Sequence, residues 1–154
     1  MKILVTEPLS EKGLGILRSA GDIEVHIRTD IEPNELKRII GGYDALIIRS
    51  KTKVTADLLE CAAGLKVIGR AGVGVDNVDV PAATRRGIIV MNSPEGNTVS
   101  TAELTMAMML ALSRRVPAAC ASLKRGEWDR KRFIGTELMN KTLGIVGLGR
   151  IGGE

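Results

Sequence analysis

Residues 44–70 read DALIIRSKTKVTADLLECAAGLKVIGR, and this stretch decides the fold. Residues 44–49 centre on an apolar run, which is typical of a strand buried on both faces of a sheet. Residues 55–63 have a helical pattern with Thr55 as N-cap, and residues 66–69 form a second short strand. Two strands joined through one helix predict a parallel pair with a right-handed crossover.

The same alternation of strand and helix continues on both sides of this unit. Strands are predicted over residues 2–6, 24–28 and 88–91, and helices over residues 10–19, 33–40 and 80–86. Repeated units of this kind predict an α/β fold, a doubly wound parallel sheet of the flavodoxin-like type.

A helical segment follows the predicted sheet. Ser100 and Glu103 fit a capping box ahead of an apolar helix over residues 101–115. Pro117 is expected to break that helix, and a second helix is predicted over residues 118–125.

A glycine-rich turn comes directly after one more predicted strand, at residues 142–146. Gly147, Gly149 and Gly152 have the spacing G-x-G-x-x-G, which gains meaning from the preceding strand. In a dinucleotide site these glycines make a tight turn, let the backbone approach a pyrophosphate and allow close helix–strand contact. The alternative is an ordinary glycine-rich turn between strand and helix.

Composition limits the classes of function. The 154 residues are 44% hydrophobic and 26% charged, which is typical of a folded globular protein. Aromatic residues make up 2%, which argues against stacking surfaces for single-stranded nucleic acid, and the net charge of +4 suits small anions. Cys61 and Cys120 lack metal-ligand spacing, and the single histidine, His26, lies in a predicted strand. We therefore assign no metal site and no nucleic-acid partner.

The chain shows no signal-peptide pattern at its start. Its longest apolar run, near residues 106–112, is far shorter than the roughly 20 residues of a membrane helix. We expect a cytoplasmic protein with no membrane partner.

Three loops follow predicted parallel strands, at residues 49–52, 70–74 and 92–97. The carboxyl ends of such strands line the ligand crevice, which places Arg49 and Arg70 at that edge. Each guanidinium can hold a carboxylate or phosphate through two parallel hydrogen bonds. The loops also supply Gly72, Gly74, Ser50 and Asn97. The alternative is that the arginines form structural ion pairs, for which the candidate acids are Asp44, Asp76 and Asp79.

A basic stretch lies further along the chain. Its cations are Lys124, Arg125, Arg130, Lys131 and Arg132, with Glu127 and Asp129 between them. One interpretation is a solvated surface, and another is an arm that brings positive charge to a neighbouring active site. A third is DNA binding, which a steep loss of affinity with salt would reveal.

Several stretches resemble the NAD-dependent D-2-hydroxyacid dehydrogenases. They are RAGVGVDNVD at 70–79, WDRKRFIGTEL at 128–138 and KTLGIVGLGRIG at 141–152, with further matches at Arg49-Ser50, Asn92-Ser93-Pro94 and Asn97. The stretch at 128–138 resembles in particular the branch of the family that oxidises 3-phospho-D-glycerate.

The resemblance implies two domains, with the boundary near residues 92–100. Residues 1–95 would be most of a substrate-binding domain. Residues 96–154 would begin a Rossmann NAD-binding domain, and its long helix would form much of the interface of a homodimer or higher homo-oligomer.

The resemblance also implies site residues. A small anionic phosphorylated hydroxy acid would be held by Arg49, Ser50, Arg70, Gly72, Gly74, Asn97, Arg130 and Arg132. NAD would lie near Val73, Gly147, Gly149, Arg150, Ile151 and Gly152. The family's catalytic His, its paired Glu and a second catalytic Arg match positions beyond 154, so no catalytic residue is assigned. The chain is expected to be an N-terminal fragment that is inactive alone.

The implied reaction is NAD-dependent oxidation of 3-phospho-D-glycerate to 3-phosphohydroxypyruvate, which begins L-serine biosynthesis. One alternative is another D-2-hydroxyacid dehydrogenase, such as a glyoxylate or hydroxypyruvate reductase. A second is a non-catalytic, dinucleotide-sensing relative of the corepressor type, because one fold supports many functions.

Overall fold

Five parallel strands form one sheet in a computed structural model that describes all 154 residues. They are β1 (Lys2–Val5), β2 (Glu24–Ile27), β3 (Ala45–Ile48), β4 (Val67–Arg70) and β5 (Ile89–Asn92). The strand order is β2-β1-β3-β4-β5, and every neighbouring pair is parallel. This is the flavodoxin-like order, which confirms the predicted doubly wound sheet.

Four helices connect the strands of this sheet. They are α1 (Glu11–Ser19), α2 (Pro33–Ile39), α3 (Ala56–Glu60) and α4 (Val80–Arg85). Three of them begin with an N-cap residue whose side chain accepts a hydrogen bond from a free backbone N–H group. Ser10 accepts from Gly13, Thr55 from Leu58 and Asp79 from Ala82. Helix starts are therefore defined by local sequence.

The hydrophobic core lies on both faces of the sheet. On one face, Leu4, Leu46, Ile48 and Ile68 are fully buried, together with apolar residues of α2, α3 and α4. A smaller cluster on other strand positions includes Ile3 and Val5. Burying each such side chain contributes about 1.5–3 kcal/mol, so the central strands provide a rigid base for the loops at their carboxyl ends.

The chain divides into two compact units, Met1–Gly96 and Asn97–Glu154. The sheet and its four helices make up the first. The second is helical and irregular, with α5 (Thr98–Ser113), α6 (Val116–Lys124), a 3₁₀ turn (Lys131–Phe133) and a short α7 (Arg150–Gly153).

The ends of α5 differ from the sequence prediction. The helix begins at Thr98, one turn before the expected start, with Asn97 as N-cap. Ser100 thus lies inside the first turn, where its hydroxyl donates to the carbonyl of Asn97 at 3.2 Å instead of capping the helix. The helix ends because Arg115 adopts a left-handed conformation with φ of 52°, and Pro117 lies in the first turn of α6.

The strand predicted at residues 142–146 does not form. A strand requires a neighbour for its backbone hydrogen bonds, and the second unit contains no other strand. Its apolar residues Leu143, Ile145 and Val146 are exposed as a result.

Helix α5 is apolar yet has no buried residue. Its exposed hydrophobic side chains include Leu104, Met106, Met108, Leu110 and Leu112, the last at 80% exposure. None of the helices combines the length and the apolar run that crossing a bilayer requires.

Candidate functional site

The carboxyl ends of β3, β4 and β5 lie level with one another. The register pairs Ile48 with Arg70 and Arg70 with Asn92. The backbone N–H of Ala71 donates to the carbonyl of Ile48 at 2.8 Å, and that of Ser93 donates to the carbonyl of Gly72 at 2.9 Å. The sheet therefore brings the loops at 49–52, 70–74 and 92–96 side by side, as expected for a ligand crevice.

Arg70 is the half-buried cation of this edge. Its Nε is enclosed and has no hydrogen-bond partner. Neither Arg70 nor the exposed Arg49 forms an ion pair. Asp44, one candidate partner, accepts from Lys66 Nζ at 2.6 Å, and Asp79 caps α4. The structure thus shows no structural ion pair for either arginine.

Gly72 leaves the space that the Arg70 side chain occupies. A Cβ added at Gly72 would lie 2.8 Å from Arg70 Cζ, so a larger residue there would displace the guanidinium. The neighbouring Val73 is partly exposed, and its carbonyl accepts from Asn92 Nδ2 at 2.7 Å. A Cβ at Gly74 would meet Asp76 Oδ1 at 2.8 Å, so both glycines permit close packing in this loop.

Glu7 holds the loop that carries Arg49 and Ser50, and sequence reasoning missed it. Its Oε1 accepts from the backbone N–H groups of Arg49 and Thr52 at 2.8 Å each, and its Oε2 accepts from that of Lys51 at 2.9 Å. Glu7 is only 5% exposed. Burial alone raises the pKa of Glu7, but these backbone hydrogen bonds outweigh it, so the pKa lies below its ordinary value.

Asn77 holds the same loop by donating hydrogen bonds to two carbonyl groups of the loop. Asn77 Nδ2 donates to the carbonyl of Arg49 at 2.8 Å and to that of Thr52 at 2.7 Å. The hydroxyls of Thr6 and Thr52 are 2.9 Å apart. The loop backbone is thus fixed while the side chains of Arg49 and Ser50 remain exposed.

A cavity of about 620 Å³ lies beyond this loop, between the starts of α2 and α3. Its lining includes Thr6, Thr52, Lys51 and Asp30, but none of the predicted anion-binding residues. Lys51 and Asp30 are paired at 3.9 Å, so part of its charge is neutralised internally.

The glycine-rich turn belongs to the second unit. Gly147 has φ of 102°, a conformation that favours glycine, and the N–H of Gly153 donates to the carbonyl of Gly149 at 2.9 Å. A Cβ at Gly152 would lie 3.1 Å from the carbonyl carbon of Gly147. Arg150 and Ile151 form the first residues of α7. This conformation fits the tight turn and close approach that a pyrophosphate loop needs.

Asn97, predicted to contact the substrate, is the first residue of the second unit. It is exposed and makes no side-chain cap hydrogen bond to α5. Its carbonyl accepts from the N–H of Thr101 at 2.9 Å, so its backbone starts the helix while its amide stays accessible.

The basic stretch contains two kinds of arginine. Arg125 forms two hydrogen bonds with Glu127, at 2.9 and 3.0 Å, and is structural. Arg130 and Arg132 are exposed and form no ion pair, although the guanidinium of Arg132 lies 5.8 Å from the ring centre of Phe133.

The single histidine lies on the edge strand β2, apart from the candidate crevice. His26 Nε2 is 2.7 Å from Glu24 Oε1, and His26 Nδ1 is 2.9 Å from the hydroxyl of Tyr43. Three strands, β1, β3 and β4, follow it in the sheet before β5. His26 thus forms its hydrogen bonds on β2, at the opposite edge of the sheet from β5.

Comparison with known proteins gives a consistent result. The family model described as "D-isomer specific 2-hydroxyacid dehydrogenase, catalytic domain" matches residues 3–139. Two curated relatives are named D-3-phosphoglycerate dehydrogenase. The one from Methanocaldococcus jannaschii is 59% identical over 152 residues, which are 99% of this chain and 29% of the relative. The one from Archaeoglobus fulgidus is 52% identical over 154 residues, 100% of this chain and 29% of the relative.

The fold has a solved counterpart with a bound dinucleotide. The NAD-dependent formate dehydrogenase from Staphylococcus aureus, in complex with NAD, has a TM-score of 0.85 and 31% identity over 99% of this chain and 51% of that chain. This chain spans about 29% of the length of the curated relatives described above.

Proposed function

This chain belongs to the D-isomer specific 2-hydroxyacid dehydrogenases, and on that premise we propose that the whole protein oxidises 3-phospho-D-glycerate to 3-phosphohydroxypyruvate with NAD. The observation that carries the proposal is that Arg49 and Arg70, both at the carboxyl edge of the sheet, form no ion pair. The Nε of Arg70 is enclosed and has no hydrogen-bond partner. The names of the two archaeal relatives support the choice of substrate. The reaction would begin L-serine biosynthesis.

Both units carry residues that we propose bind the substrate. In the first unit, Arg49, Ser50 and Arg70 would bind its anionic groups, and Gly72 and Gly74 would shape the loop beside them. In the second unit, Asn97 would offer its accessible amide, and the exposed guanidinium groups of Arg130 and Arg132 would reach the substrate site of a partner subunit. Charge-assisted bonds from guanidinium groups suit a substrate that carries both a carboxylate and a phosphate.

The glycine turn would hold the pyrophosphate of NAD. Gly147, Gly149 and Gly152 would give the backbone its tight turn, and Arg150 and Ile151 would contact the pyrophosphate. In the first unit, Val73 is the residue proposed to contact the nicotinamide end of NAD. Bound NAD would supply the hydride-acceptor chemistry for oxidation of the substrate hydroxyl. The residues of this chain would bind and orient the substrate and the cofactor, and we assign none of them as the catalytic base.

The exposed face of α5 supports a homodimer. An apolar helix without one buried residue leaves an exposed hydrophobic patch, and a second copy of the chain is the proposed cover. Because the proposed cofactor and the phosphorylated substrate are both water-soluble, we propose that the reaction takes place in the cytoplasm.

The test compares substrates that differ by one phosphate. In the whole protein, kcat/KM for 3-phospho-D-glycerate is expected to exceed that for D-glycerate by roughly tenfold or more, because a charge-assisted hydrogen bond is worth about 1.5–3 kcal/mol. Equal values would favour a hydroxypyruvate reductase. NAD binding without oxidation of any 2-hydroxy acid would favour the non-catalytic, dinucleotide-sensing alternative.

A further inference from the structure

Glu7 is a buried carboxylate that no cation neutralises. It lies two residues after the end of β1, is 5% exposed and forms no ion pair. Burying a charge is costly unless hydrogen bonds replace its water. Three backbone N–H groups do so here, and all three belong to the loop at 49–52.

The contacts of this loop separate its backbone from its side chains. Glu7 accepts hydrogen bonds from three N–H groups of the loop, and Asn77 donates to the carbonyls of Arg49 and Thr52. The hydroxyl of Thr6 contacts that of Thr52. The side chains of Arg49 and Ser50 remain exposed at the crevice. A fixed backbone that presents free side chains is what precise ligand binding requires.

We propose that Glu7 is a positioning residue for the substrate: its carboxylate holds residues 49–52 in the conformation that presents Arg49 and Ser50 to the anion. Glu7 itself does not contact the substrate. This inference rests on the proposed function, since it assumes that Arg49 binds the anionic substrate. It goes beyond that function by assigning a role to a residue outside the crevice.

The central variant is Glu7→Gln in the whole protein. Glutamine keeps one oxygen acceptor but turns an amide NH₂ towards at least one backbone donor, so the loop loses at least one of the three hydrogen bonds and the others are no longer charge-assisted. The KM for 3-phospho-D-glycerate is expected to rise about tenfold, as for one lost charge-assisted hydrogen bond. The KM for NAD and kcat are expected to change little, because only substrate binding loses a contact.

Two further variants make the result specific. Glu60→Gln is the matched control, since Glu60 is exposed on α3 and makes no contact with the loop. Its KM is expected to stay at the wild-type value. Glu7→Asp keeps the charge but withdraws the carboxylate by one methylene, and it is expected to give a KM between those of wild type and Glu7→Gln.

The rate of amide hydrogen exchange measures the stability of the loop conformation directly. The amides of Arg49, Lys51 and Thr52 are expected to exchange faster in Glu7→Gln than in wild type. A lower melting temperature with unchanged KM for 3-phospho-D-glycerate would overturn the inference and make Glu7 a purely structural residue. If Glu7→Gln does not fold, the KM and the melting temperature of Glu7→Asp decide the question in the same way. A wild-type protein that does not oxidise 3-phospho-D-glycerate would instead refute the proposed function. The two failures are distinguishable because the proposed function is tested in the wild type and the role of Glu7 only in the variants.

Discussion

Replacing Arg70 by methionine is expected to weaken substrate binding and to stabilise the fold at the same time. Arg70 is half-buried at the end of β4, its Nε has no hydrogen-bond partner, and no carboxylate pairs with it. Methionine fills a similar space with a flexible apolar chain and brings no charge or donor that needs a partner. At this position, a substitution that weakens substrate binding is therefore expected to increase the stability of the fold.

The magnitudes follow from the two kinds of hydrogen bond. One charge-assisted hydrogen bond to the substrate is worth about 1.5–3 kcal/mol, so the KM for 3-phospho-D-glycerate should rise roughly ten- to a hundred-fold. A buried donor without a partner costs about 1–3 kcal/mol, so the free energy of unfolding of the chain should rise by about that amount. The KM for NAD is expected to stay unchanged.

The assay combines initial rates of NADH formation by the whole protein with urea unfolding of the 154-residue chain. Arg85→Met is the matched control, because Arg85 is exposed in the last turn of α4 and forms no ion pair. It is expected to change neither quantity by more than a small amount. Reduced stability together with a normal KM would mean that Arg70 has a structural partner in solution, and the reasoning would be refuted.

Three further outcomes are expected. Gly147→Ala should weaken NAD binding about tenfold in calorimetry, because a left-handed residue other than glycine costs about 1–2 kcal/mol; Gly144→Ala, where a Cβ meets nothing within 4 Å, is the control. Because the backbone hydrogen bonds of the folded chain lower the pKa of Glu7, its stabilising effect is complete above its ordinary pKa in the unfolded chain and is lost as pH falls through the folded pKa. Wild type should accordingly lose more stability in acid urea unfolding than Glu7→Gln, and equal losses would contradict this. Leu112→Glu should convert the proposed dimer to monomers in analytical ultracentrifugation, and a dimer that persists in the variant would mean that the interface does not include this face of α5.

The sheet could be predicted because its signals are local. Each strand of the sheet lies where a short strand was predicted, with ends displaced by at most one residue, as at β1 (Lys2–Val5) for the predicted 2–6. Ser10 and Thr55 cap their helices as expected. The crossover rules limit the strand orders that are possible, and the order β2-β1-β3-β4-β5 itself comes from the structure.

The role of Glu7 could not be read in the same way. Its partners lie 42 to 45 residues along the chain, and they become neighbours only because β1 pairs with β3. A carboxylate directly after a central strand was the available signal. It points to a function only when the adjacent strand is known, since a strand end followed by an acidic residue is otherwise a common surface pattern.

The error at residues 142–146 has the same origin in the opposite direction. The local pattern there favours a strand, but strand formation depends on a partner that the second unit does not contain. The glycine turn after it still adopts its special conformation, with Gly147 at φ of 102°, because a turn needs only its own residues. Turn chemistry is thus more transferable from sequence than strand pairing.

The arginines at the crevice form no ion pair, and the carboxylates explain this only in part. Glu7 is satisfied by three backbone N–H groups and Asp79 by the start of α4. Asp44 lies at the opposite, amino end of β3, where it binds Lys66, and Asp76 forms no ion pair. A positive edge of this kind is unfavourable for folding by itself, because two guanidinium groups repel and a half-buried one is poorly hydrated. Such a cost is typical of a site whose charge is neutralised by its ligand. The preference for an anion would therefore depend on the absence of a paired carboxylate as much as on the arginines themselves.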